Sequence, residues 1–60
     1  MTPTDLVGAR RSLGASQRTL AQFLRLSERQ IIRYESGRSK IPGPVAILIG
    51  ILIDREIPKL

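Results

Sequence analysis

Residues 16–37, SQRTLAQFLRLSERQIIRYESG, carry two helix starts and a helix stop at fixed intervals. Ser16 and Ser27 each precede a run of helix formers. A hydroxyl at that position accepts a hydrogen bond from an unpaired amide of the first turn. Gln30 follows Ser27 by three places, the spacing of a capping box. Gly37 stands just past the second run, where positive φ ends a helix at little steric cost. The spacing predicts one helix from about Gln17 to Leu24 and another from about Glu28 to Ser36.

Leu20, Ala21 and Leu24 share one face of the first helix, and Ile31 and Tyr34 share one face of the second. Leu26 is the apolar plug in the turn between them. Ala21 is small enough to let the two helices cross closely at a steep angle. Two short helices joined in this way make a helix-turn-helix, here residues 16–37, whose second helix can enter the major groove of DNA.

The run from Leu13 to Pro42, LGASQRTLAQFLRLSERQIIRYESGRSKIP, resembles the Cro/cI-type (XRE-family) phage and bacterial repressors. The features that carry the resemblance are Gln17, Leu20-Ala21-Gln22, Ser27, Ile31, Tyr34-Glu35-Ser36-Gly37-Arg38 and Pro42. They cover about half the chain, and they imply an all-α, compact four-helix lambda-repressor-like domain. The resemblance also implies site roles. Gln17 would touch a phosphate and support the recognition helix, and Ser27, Glu28, Arg29 and Arg33 would face DNA. The loop after Gly37 would bind phosphate, and Arg10 would form a structural ion pair with Glu35. One position departs from the pattern. Arg25 stands where a glycine commonly follows the first helix of the motif, and an unchanged turn would force it into a left-handed conformation.

The chemistry of the second helix agrees with a DNA-reading role. Arginine can bond guanine O6 and N7 together, and glutamate can accept from cytosine N4. Glu28, Arg29 and Arg33 are therefore the candidate base contacts, with G·C pairs at the contacted positions. A plainer use exists for Glu28, complementing the helix dipole, and for Arg29, pairing with it or with a phosphate. Ile32 fits either the edge of the core or a thymine methyl, and packing is the preferred reading. Ser16, Gln17, Arg18, Ser27, Gln30, Ser36, Arg38 and Lys40 are candidates for backbone contact or support, which sets register without reading sequence.

Charge agrees with that surface. The 60 residues carry ten Lys or Arg against five Asp or Glu, a net charge of +5. All but Arg55 and Lys59 of the basic residues lie between Arg10 and Lys40, so the charge belongs to the motif and its flanks, and a polyanion is the expected partner. There is no cysteine and no histidine. Disulfide stapling and the usual zinc sites are thereby excluded. The carboxylates Asp5, Glu28, Glu35, Asp54 and Glu56 have helix-end or ion-pair roles, and no phosphate-binding glycine loop appears. Neither an enzyme, a cofactor nor a small-molecule ligand is expected. The opening MTPTDLVG lacks the basic and apolar regions of a signal peptide, and the apolar run Val45–Ile53 is too short to span a bilayer. A soluble cytoplasmic protein is the expectation, with no membrane partner.

The flanks complete the domain. Thr2, Pro3 and Asp5 read as a helix start, and a first helix should run from about Pro3 to Leu13. Its stripe is Leu6, Ala9 and Leu13, or Val7 and Arg10. Gly8 weakens it and suggests a close contact with another helix. Phe23 has no clear place on the core face and suits an edge of the last helix or a dimer contact. A fourth helix, from about Pro44 to Asp54, is apolar nearly all round. Val45, Leu48 and Leu52 suffice to close the core. Ile47, Ile49, Ile51 and Ile53 would then face water and mark an interface, with Ile57 and Leu60 of the tail adding contacts. The expected protein is a single domain of residues 1–60 that homodimerises through residues 44–60 and binds an inverted repeat in double-stranded DNA as a small repressor. A competing expectation is an interaction module, such as an antitoxin-type protein whose apolar fourth helix binds another protein.

Overall fold

The computed structural model describes residues 1–54. They form four helices, α1 (Pro3–Ser12), α2 (Gln17–Leu24), α3 (Glu28–Ser36) and α4 (Gly43–Asp54), with no strand among the described residues. The tail from Arg55 to Leu60, including the expected contacts Ile57 and Leu60, lies outside them.

Local capping explains the starts of α1, α2 and α3. Thr2 Oγ1 accepts from Asp5 N at 3.1 Å, and Asp5 Oδ2 accepts from Thr2 N at 3.1 Å. This reciprocal capping box opens α1. Ser16 Oγ accepts from Thr19 N at 3.0 Å, and Ser27 Oγ accepts from Gln30 N at 3.1 Å. Only this forward half of a box forms at Ser27. α4 opens a residue earlier than its prolines suggest, with Ala46 N donating to Pro42 O at 3.1 Å.

The stops are left-handed residues. α1 ends at Ser12 rather than Leu13, followed by Gly14 at φ +70°. Arg25 adopts φ +59° and ψ +39°, so the turn keeps a glycine-like shape with an arginine in it. Leu26 N then reaches Ala21 O at 2.8 Å, and the Leu26 side chain packs against the core. Gly37 ends α3 at φ +79°.

One core joins the four helices. Its fully buried large side chains are Leu6, Leu20, Ile31 and Ile49, one from each helix. Ala9, Leu13, Ala15, Ala21, Tyr34 and Leu52 surround them, and Leu24, Leu26, Ile41 and Val45 seal the edges. α3 packs against both α1 and α2, and α4 closes over α1. No described helix is long and apolar enough to cross a membrane.

α4 is rotated relative to the expectation. Ile49 is completely buried, whereas Leu48 is 41% exposed. The core face is Val45, Ile49 and Leu52, at i, i+4 and i+7, a helical stripe that excludes Leu48. Ile49 thus belongs to the core and not to a water-facing interface. Ile47, Leu48 and Ile51 form the exposed stripe, while Ile53, also exposed, falls on another side at helical spacing. Gly8 corrects a second expectation. It is exposed, and a Cβ built there meets nothing within 4 Å. No neighbouring helix requires a glycine at that position.

Two glycines therefore respond oppositely to alanine. Gly8→Ala should raise stability by about 0.5–1 kcal/mol, because only helix propensity and chain entropy change. Gly37→Ala should lower it by about 1–2 kcal/mol, the cost of a Cβ in a left-handed conformation. Urea unfolding of both variants checks this, and a destabilised Gly8→Ala would contradict the open position of that residue.

Candidate nucleic-acid interface

Glu35 lies on the inner edge of α3 and is shared by α1 and α2. Arg10 Nε donates to Glu35 Oε2 at 2.6 Å, and Arg10 Nη2 donates to Oε1 at 3.2 Å. Gln17 Nε2 donates to the same Oε1 at 3.0 Å. The remaining terminal nitrogen, Arg10 Nη1, donates to Ala15 O at 3.0 Å. The two charged side chains are only 14% and 8% exposed. Forked geometry and a second donor compensate the desolvation that burial imposes on both charges. Burial pushes the Glu35 carboxyl up, but the hydrogen bonds from Arg10 and Gln17 and the charges of Arg10 and Arg11 pull it net below its ordinary value. Arg10 is thereby consumed structurally. It is also the only cation in an ion pair among the described residues.

With Glu35, Ile31 and Tyr34 turned inward, helical geometry points Glu28, Arg29, Ile32, Arg33 and Ser36 outward, and all five are exposed. Their offsets, i, i+1, i+4, i+5 and i+8, trace one face of a 3.6-residue helix. Arg29, Ile32, Arg33 and Ser36, with Arg38 from the following loop, line a groove of about 310 Å³. Ser36 Oγ donates back to Arg33 O at 3.2 Å, which tightens the last turn. Lys40 is exposed and lines a neighbouring groove with Met1, Pro3, Gly37, Ser39 and Ile41.

The expected site residues thus separate into groups. Glu28, Arg29, Arg33 and Ser36 lie together on the outward face of α3, with Arg38 beside them. Ser16 and Arg18 are exposed at the start of α2, and Ser27 at the start of α3. Gln17 and Gln30 are half-buried. Gln17 holds α2 to α3 through its side-chain amide, and Gln30 contributes its backbone N–H to the Ser27 cap. Ile32 does not pack into the core as its side-chain type suggests, and is 44% exposed. Its place was readable from the helical angle it shares with Glu28 and Ser36, although its side-chain type favoured the core. Phe23 is 45% exposed. The described residues contain no group of three or more potential metal ligands.

Comparisons of the chain with protein-family models, curated proteins and solved structures found no match. The reading of this face therefore rests on its own chemistry.

The Glu35 cluster makes stability acid-sensitive. Its carboxyl titrates below its unfolded value, so its contribution is complete at neutral pH. It is lost as pH falls from the ordinary glutamate range, near 4.5, through the lower folded value. Asp5 acts in the same direction, lowered by the hydrogen bonds from the Thr2 backbone and hydroxyl. Urea unfolding between pH 7 and pH 3 should show a falling free energy for the wild type and a shallower fall for Glu35→Gln. Arg10→Ala should cost about 2–4 kcal/mol at pH 7, because it strands a buried carboxylate. A loss below about 0.5 kcal/mol, typical of an exposed pair, would contradict the buried role.

Proposed function

We propose that the chain is a sequence-specific double-stranded DNA-binding regulator. In this reading it is a small homodimeric repressor of the Cro/cI type, with α2 and α3 as the helix-turn-helix of a lambda-repressor-like domain. The observation that carries the reading is the outward face of α3. Glu28, Arg29 and Arg33 stand exposed on it, and Arg38 extends the same cationic groove. α3 enters the major groove, and Arg29 and Arg33 bond guanine edges while Glu28 accepts from cytosine. Arg38, Lys40, Ser16, Arg18 and the amides at the start of α2 engage phosphates on either side.

The exposed stripe Ile47, Leu48 and Ile51 supports a second copy docked through α4. Two recognition helices related by a two-fold axis would then read an inverted repeat, with half-sites about 34 Å apart. Repression follows from occupation of a promoter by such a dimer, in the cytoplasm of a bacterial or phage-infected cell. The same apolar stripe favours the second reading, in which α4 binds a different protein in the manner of an antitoxin and DNA binding is secondary.

Selection of duplexes from a random pool near physiological salt tests the proposal. An inverted repeat should be recovered. On that site Arg33→Ala should cost about 1–3 kcal/mol and relax preference at one base pair. Lys40→Ala should weaken all duplexes alike and reduce the salt slope by about one. Equal weakening of preferred and random DNA by Arg33→Ala would make it a phosphate contact. For the dimer, Leu48→Glu and Ile51→Glu should sediment as monomers at concentrations where the wild type is dimeric. A wild type monomeric with and without DNA would remove the second copy.

A further inference from the structure

Ile32 is the one apolar side chain on the outward face of α3, whose other members are Glu28, Arg29, Arg33 and Ser36. It is 44% exposed, and it lines the groove formed with Arg29, Arg33, Ser36 and Arg38. A β-branched residue is not favoured on an exposed helical surface by propensity, and its branched end gains nothing from water. The core does not use it, since Ile31 and Tyr34 fill the inner face of the helix. It is also separate from the α4 stripe, so second-copy docking through α4 does not account for it. The groove around it carries three arginines and one isoleucine, a lining that favours an anionic occupant bearing an apolar group.

Duplex DNA offers one such apolar feature in the major groove, the 5-methyl group of a pyrimidine. Resting on the DNA reading given above, we propose that Ile32 is a specificity-determining residue that packs against a pyrimidine 5-methyl group, beside the bases bonded by Arg29 and Arg33. Arg33 follows Ile32 directly, Arg29 lies about one turn before it, and all three line the same groove. An arginine bonded to a guanine therefore brings the isoleucine down onto a neighbouring base. The methyl comes from thymine or from 5-methylcytosine, which present the same group at the same position of the ring.

The test uses the whole chain and its selected duplex. Each thymine is replaced singly by deoxyuridine, which removes only the methyl, and each cytosine by 5-methylcytosine, which adds one. Wild-type binding should weaken about three- to tenfold at one uracil position per half-site, or strengthen by a similar factor at one methylated cytosine. In Ile32→Ala that methyl effect should collapse to less than about twofold, with the thermal midpoint unchanged because the residue lies outside the core. Methyl sensitivity that persists in Ile32→Ala, or a preferred duplex indifferent to every methyl change, would overturn the role of Ile32 while leaving the DNA reading intact. Recovery of no preferred duplex would overturn the DNA reading and this inference with it.

Discussion

The carboxylate of Glu35 fastens three helices together. It lies on α3 and accepts from Arg10 of α1 and Gln17 of α2, while the same Arg10 guanidinium also donates to Ala15 O in the connection between those two helices. A charge at 8% exposure is destabilising unless its lone pairs are satisfied, so loss of any donor acts on the whole arrangement. The cluster also sets the rotation of α3 about its axis. With Glu35 anchored on one edge and Ile31 and Tyr34 buried, no freedom remains in which residues face outward. The polar cluster and the apolar core thus agree on one orientation, and the exposed arginines are its consequence.

The second constraint is the corner between α2 and α3. Arg25 holds a left-handed conformation that costs a side-chain-bearing residue about 1 kcal/mol or more. That conformation returns the chain so that Leu26 seals the core edge and Ser27 caps α3. The strain is local, and it is offset by the burial and capping it makes possible. The arginine side chain itself remains exposed, adding to the positive surface without entering the α3 groove.

The parts legible in the sequence were those governed by short-range rules. Ser16 and Ser27 mark the starts of α2 and α3 because capping depends on residues three places apart, and both helices run over the expected residues. The resemblance left two outcomes open at Arg25, an altered turn or a strained left-handed residue, and the chain adopts the second. α4 was legible as a helix but not in its rotation. Val, Ile and Leu occupy most of its positions, so no polar residue distinguishes the inner face, and only tertiary packing selects Ile49 over Leu48. Ile32 shows the converse. Its angular position is outward, yet its apolar side chain suggests burial, and the proposed contact with a pyrimidine methyl would account for that conflict between type and position. The partnership of Gln17 with Glu35 spans 18 positions, a separation no local rule reaches.

The central claim is that the outward face of α3 meets duplex DNA. Mapping of backbone amide chemical shifts during titration with a selected duplex tests it most directly. The account predicts the largest perturbations across Glu28 to Arg33 and at Arg38 to Lys40, with smaller ones at the start of α2. A bound duplex that leaves α3 unperturbed, with changes confined to α4 or to α1, would contradict it.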